Sequence, residues 1–237
     1  MNTILLPKSA FADHFAIITD PAQLNHIRTV LKARIGDTLK IAEFGGYLGV
    51  GKIEQLTDEK CVLTDVCLNT PPPPKLGLTV ILALPRPKVL RRLVMDMTAF
   101  GVDNIVLLNS VRTDKSYWGS PLLARLDEFV QEGLQQGVDT IAPKIVFAKR
   151  FKPFVQDELP SLMQNKTALV FHPYADDNFG EFMVQNPLPD IIIIGAEGGF
   201  VPYEIDLLKS VGVQAVTFGT RILRTETAVN AVLGRWI

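Results

Sequence analysis

Asp190-Ile191-Ile192-Ile193-Ile194-Gly195-Ala196-Glu197-Gly198-Gly199-Phe200-Val201-Pro202 is the stretch that decides the fold. Four successive isoleucines leave no polar side, so the run predicts a strand covered on both faces, as in a parallel sheet flanked by helices. The glycines behind it permit a sharp turn and let a ligand approach main-chain atoms. Pro202 suits the first turn of a helix, where its missing N–H would have no partner anyway. This order places the loop beyond the carboxyl end of a strand, where open parallel sheets bind their ligands. Taken alone, such a turn is equally well a tight structural connection. Its spacing matches neither a dinucleotide fingerprint nor a phosphate loop ending in Gly-Lys-Ser/Thr, which argues against a Rossmann-type nucleotide enzyme.

The neighbouring chain repeats the alternation. Leu78 to Leu84, Asn104 to Leu108, Ala168 to Phe171, Asp190 to Ile194 and Gln214 to Phe218 read as strands. Val89 to Phe100, Leu122 to Leu134, Glu204 to Val211 and Glu226 to Trp236 read as helices between or after them. The pattern predicts an α/β domain with a largely parallel sheet. Upstream, Pro71-Pro72-Pro73-Pro74 forms a stiff linker. It divides a small module, residues 1–70, from the larger one, residues 75–237. In the small module Thr38 to Ile41, Tyr47 to Ile53 and Cys61 to Leu68 are β-prone runs separated by turn signals. Before them, Pro21 to Lys32 has helical spacing, with Leu24, Ile27 and Leu31 inward and His26, Arg28, Lys32 and Arg34 outward.

Composition narrows the classes. The 237 residues are 47% apolar, enough for a sizeable core. No apolar run approaches the ~20 residues of a membrane span, and the N-terminus lacks the cationic flank of a secretory signal. A cytoplasmic protein is expected. Cys61 and Cys67 are too few for a disulfide framework and are expected as buried strand residues. His14, His26 and His172 lie far apart, so no metal site is expected. The net charge of −1 conceals two basic clusters, Arg86/Lys88/Arg91/Arg92 and Lys144/Lys149/Arg150/Lys152. Each is either a solvated face or a footprint for a polyanion.

A second motif, Phe218-Gly219-Thr220-Arg221-Ile222-Leu223-Arg224-Thr225-Glu226-Thr227-Ala228, also joins a strand to a helix. Thr225 is placed to cap that helix, and Glu226 suits its positive end. Arg221 and Arg224 oppose the helix dipole there, so they are expected to serve a ligand or an anion.

Together the two motifs resemble those of the knotted SPOUT methyltransferases, and among them the bacterial family that methylates N3 of a uridine in 16S ribosomal RNA. That family carries a Gly-Pro-Glu-Gly-Gly loop and a Leu-Gly-x-Arg-x-Leu-Arg-x-Glu-Thr segment at a similar separation. His26 to Asp37 is similar to part of the family's PUA-like RNA-binding barrel, and Phe171-His172-Pro173, Gln136 and Pro143 also fall at family positions. Ala196 stands where the family has proline, Phe218 where it has leucine, and Asp139 where many members have arginine.

The resemblance implies a C-terminal trefoil knot, a homodimer and S-adenosylmethionine bent among the knotted loops. It implies cofactor contacts from His172, Gly195, Ala196, Glu197, Gly198, Gly199, Phe218, Gly219, Ile222, Leu223 and Thr225. Arg224 is the candidate cation for the anion that develops on uracil, and Glu226 its orienting group or the proton acceptor. His26, Arg28, Lys32, Arg86, Lys88 and Arg221 are candidate RNA contacts, on 16S ribosomal RNA within the small subunit. The competing readings are an RNA-binding or assembly protein without chemistry on the same fold, and a methyltransferase acting on transfer RNA.

Overall fold

The computed structural model describes residues 2–237, which divide into two compact units. The first comprises the chain up to Pro74 together with Gln131–Ala142, and the second comprises Lys75–Val130 and Pro143–Ile237.

The first unit holds β1 (Ile4–Leu6), β2 (Phe11–Ala12), β3 (Phe15–Ile18), α1 (Pro21–Thr29), β4 (Thr38–Glu43), β5 (Leu48–Leu56) and β6 (Cys61–Thr70). They form a six-stranded mixed sheet in the order β1-β4-β5-β6-β3-β2, in which β1 and β4 run parallel and the other pairs antiparallel. Alternate residues of β3 and β4 turn inward, and Ala16, Ile18, Leu39 and Ile41 meet Leu24 and Ile27 of α1 in one core. Gly49 in β5 lies so close to β6 that a Cβ would fall 1.8 Å from the Cys67 carbonyl oxygen. Only glycine fits there.

Two expectations for this unit need correction. The helix ends at Thr29 rather than Lys32, because Lys32 turns left-handed (φ 52°) and Ala33 N–H donates to the Ile27 carbonyl, closing the helix end. Leu31 therefore leaves the inner face and is 44% exposed. Of the two cysteines, Cys61 is buried and Cys67 exposed: their even separation would put both on one face, but an extra residue in β6 between Thr64 and Cys67, where Asp65 takes φ 51°, reverses the alternation.

The second unit holds β7 (Thr79–Ala83), α2 (Pro87–Phe100), β8 (Asn104–Leu108), α3 (Leu126–Gly137), β9 (Lys144–Ala148), α4 (Phe151–Pro153) and α5 (Leu159–Leu162). These are followed by β10 (Ala168–Phe171), β11 (Asp177–Asn178), α6 (Phe179–Gln185), β12 (Ile191–Ile194), α7 (Pro202–Ser210), β13 (Gln214–Thr217) and α8 (Thr225–Leu233). The last turns of α3 belong to the first unit, and a π-helical turn, Phe154–Glu158, separates α4 from α5.

All strand pairs of the seven-stranded sheet are parallel, in the order β11-β13-β10-β12-β7-β8-β9. Every residue of β7, β10 and β12 is buried, the consequence of helices on both faces. Proline starts α2 and left-handed Gly101 (φ 87°) ends it, while Leu90, Leu93, Val94 and Met97 line its buried stripe. Asp139 is 2% exposed, and its carboxylate accepts from the Thr140 and Ile141 amides at 2.6 and 3.0 Å. Whatever arginine does elsewhere at this position, Asp139 here orders the turn after α3.

Candidate functional site

Because the second sheet is parallel, its connecting loops after β10, β12 and β13 gather at one edge. They enclose a pocket of about 890 Å³ including its open mouth, built wholly within this unit.

The loop after β12 forms one wall. Gly199 N–H donates to the Ala196 carbonyl at 2.8 Å, and Gly199 takes φ 65°, so the chain doubles back. A Cβ on Gly195 would fall 2.9 Å from the Gly199 Cα, a backbone atom that cannot rotate away. Ala196 is 5% exposed and packs into the core, so the position that is proline in the resembling family needs only a small apolar residue here. Phe200 follows in the same core.

The segment after β13 forms the facing wall. Gly219, at φ 118°, makes the turn, and the Thr217 hydroxyl accepts from its amide at 3.2 Å. The Thr225 hydroxyl donates to the Gly195 carbonyl at 3.4 Å, a long bond that bridges the two motifs. The cap expectation is corrected at this point. Arg224 occupies the cap position with extended backbone, while Thr225 is the first helical residue and turns its hydroxyl toward the other loop.

Phe171 and His172 close the pocket from β10. Phe171 stacks on Phe218 with centroids 4.8 Å apart and 24° between planes, and Phe179 meets Phe171 edge-on at 4.9 Å. The result is an apolar aromatic surface suited to a flat ring. His172 is held below its ordinary pKa, first by desolvation and then by the charges of Lys209 and Arg112. It therefore favours the neutral form.

Of the residues singled out by sequence, His172, Gly195, Ala196, Glu197, Gly198, Gly199, Phe218, Arg221, Ile222, Leu223 and Thr225 line the pocket. Gly219, Arg224 and Glu226 do not, although all three belong to the same segment. The Glu197 carboxylate accepts from the Arg86 backbone amide at 3.0 Å, with the Arg86 guanidinium 3.6 Å away. Lys88 is exposed in the first turn of α2. His26, Arg28 and Lys32 belong to the first unit. There Arg28 is engaged with the Asp58 carboxylate and with the Leu24 and Thr57 carbonyls, so it is less free than its place on the helix implied.

Sequence reasoning missed Arg112, Tyr174 and Thr217, which also line the pocket. Arg112 lies in the loop after β8, and the rule that ligands bind beyond strand ends would have flagged that loop. Among the described residues no cluster of three His, Cys, Asp or Glu side chains is placed to hold a metal, and no helix is long and apolar enough to cross a membrane.

Known proteins resemble this chain in both sequence and fold. Ribosomal RNA small subunit methyltransferase E of Treponema pallidum is 26% identical over 98% of this chain and 88% of its own length. The enzyme of the same name from Mesomycoplasma hyopneumoniae is 28% identical over 95% of each chain. The crystal structure of ribosomal RNA small subunit methyltransferase E from Neisseria gonorrhoeae bound to S-adenosyl methionine shares the fold. Its TM-score is 0.75 at 20% identity, covering 99% of this chain and 96% of that one. The model of the RNA methyltransferase domain matches residues 72–237, a span that contains every residue of the pocket, and the chain belongs to that family.

Proposed function

We propose that this protein transfers a methyl group from S-adenosylmethionine to N3 of a uridine in 16S ribosomal RNA within the small subunit. The observation that carries this reading is the pocket that joins the two motif loops, 195–200 and 218–225. The residues fit the donor. Aromatic rings from Phe171 and Phe218 offer a face for an adenine, and Gly195 and Gly198 lie where a Cβ would meet the Gly199 backbone and the Arg112 stem, so the loop can fold this tightly around the donor. The relatives named for small-subunit ribosomal RNA methylation support the substrate.

S-adenosylmethionine supplies an electrophilic methyl group on a sulfonium. The chain supplies alignment, the main requirement of an in-line displacement. Its glycine-rich loop and the 218–223 segment hold the donor by backbone groups. Arg224 stabilises the negative charge that develops on the uracil oxygens as the N3 proton leaves, and Glu226 orients Arg224 or takes the proton. Both stand outside the pocket wall, in keeping with a role toward an RNA base rather than toward the donor. The target base must be unpaired or flipped, because N3 lies on its Watson–Crick edge.

The finer architecture belongs to the same proposal. Residues 1–70 act as a PUA-like RNA-binding barrel, 71–74 as linker and 75–237 as the methyltransferase domain. His26, Arg28, Lys32, Arg86, Lys88 and Arg221 contact RNA, with Arg28 exchanging Asp58 for a phosphate. The C-terminal segment forms a trefoil knot. In support, β13 pairs with β10 on the side away from β12, yet α8 packs against α2 and β12. The segment between them must therefore cross back over the strand ends. The enzyme works in the cytoplasm as a homodimer, in which a second copy covers pocket-lining Ile222, 68% exposed in the single chain.

Primer extension on 16S RNA from unmodified small subunits, treated with the protein and S-adenosylmethionine, tests the function. A donor-dependent stop beside one uridine is expected, since an N3 methyl blocks the pairing edge. Absence of any new stop on small subunits, with donor binding intact, overturns the assigned RNA.

A further inference from the structure

We propose that Arg112 is the anion seat of the donor pocket, receiving the α-carboxylate at the amino-acid end of S-adenosylmethionine. The inference rests on the reading of the pocket as the donor site and assigns a residue that lies in neither sequence motif.

The first support is how firmly Arg112 is held. Its loop follows β8 and is closed by a bond of 2.9 Å between the hydroxyls of Ser110 and Thr113, both buried. The Val111 amide donates at 2.8 Å to one oxygen of Glu204, which is fully buried. The other Glu204 oxygen accepts from the Val201 amide at 2.9 Å, immediately after the glycine-rich loop. A single carboxylate thus ties the Arg112 loop to the wall that carries Gly195 to Gly199.

The second support is the shape of that wall. A Cβ on Gly198 would lie 2.9 Å from the Arg112 Cβ and 3.0 Å from its Cδ. Gly198 therefore leaves room for the arginine stem. The Arg112 Nη1 donates to the Gly198 carbonyl at 2.5 Å. That uses one of five guanidinium donors, and among the described residues no carboxylate pairs with the rest.

The third support is chemical. The donor has one anionic group, its α-carboxylate, and a guanidinium fork matches a carboxylate with two parallel hydrogen bonds. Glu197, the carboxylate of the pocket, is engaged by Arg86 and would repel that end. Arg221 also lines the pocket and is exposed like Arg112, but no hydrogen bond among the described residues anchors it. An arginine already fixed loses less conformational freedom when the ligand arrives.

Calorimetric titration of the full-length protein with two ligands tests this. S-adenosylhomocysteine keeps the amino-acid end, and 5′-methylthioadenosine lacks it. In Arg112→Ala, affinity for the first is expected to fall about 10- to 100-fold, the range for a lost charge-assisted pair. Affinity for the second should change less than about 3-fold, as for a contact the ligand never makes. Arg112→Lys keeps a stem against Gly198 and one charge, so an intermediate and equally selective loss separates the missing fork from a disturbed fold. Equal losses for both ligands, or unchanged affinity for S-adenosylhomocysteine, overturn the assignment. An Arg112→Ala variant that loses RNA binding alone also overturns it, placing the arginine on the RNA side. Wild-type protein that binds neither ligand overturns the reading of the pocket itself, and this assignment with it.

Discussion

Replacing Glu204 should destabilise the protein in proportion to the backbone amides it leaves behind. Glu204 is 0% exposed, and its two oxygens accept from Val111 and Val201 at 2.8 and 2.9 Å. Glu204→Gln keeps the volume but presents an NH₂ where one acceptor stood, so one buried amide loses its partner. That costs about 1–3 kcal/mol. Glu204→Ala abandons both amides, about 2–6 kcal/mol before any cavity term. For a chain of this size each kcal/mol lowers the melting temperature by about 2–4 °C. Glu204→Gln should therefore melt roughly 2–12 °C below wild type, and Glu204→Ala lower still, by circular dichroism at one protein concentration. Both variants should also lose affinity for S-adenosylhomocysteine, because the Arg112 loop is released. A Glu204→Gln protein melting within about 1 °C of wild type would refute the reasoning, since the smallest loss expected is larger than that.

Other outcomes follow from the same geometry. Gly195→Ala pushes a methyl against the Gly199 backbone, an overpacking of about 1–3 kcal/mol that should weaken S-adenosylhomocysteine binding about 10-fold or more by calorimetry. Unchanged binding would mean that the loop does not wall the donor site. Arg224→Ala removes an exposed side chain outside the pocket lining, so donor affinity should change less than about 3-fold while methylation is lost. Full activity in that variant sinks the catalytic assignment. His172 is held below its ordinary 6.5 by desolvation, then by Lys209 and Arg112, so the unfolded chain takes up a proton at higher pH than the folded one. Stability is thus complete above pH 6.5 and declines as pH falls toward the depressed value. Thermal melts of wild type should drop between about pH 7 and 5 more steeply than those of His172→Gln, and parallel curves would remove His172 as the cause.

Much of the second unit was legible because its signals are local. Ile191 to Ile194 could only be a strand buried on both faces, Asn104 to Leu108 likewise, and Pro87 with Gly101 brackets α2 in the sequence itself. The two motif loops were visible too, since glycines at 195, 198, 199 and 219 mark places where backbone must turn or approach closely. Short elements escaped. β9 mixes exposed, half-buried and buried residues without alternation, and β1, β2 and β11 are too short to carry a period.

What only the tertiary structure decided is which distant groups meet. Spacing cannot say that Thr225 faces the Gly195 carbonyl instead of capping its own helix, nor that Asp58 occupies Arg28. Nor can it show that Glu204 reaches the loop after β8 and sets Arg112 against Gly198. Turn chemistry and hydrophobic period are properties of adjacent residues, readable from order alone. Contacts across 86 or 93 positions depend on strand order and register, which arise from packing the whole sheet.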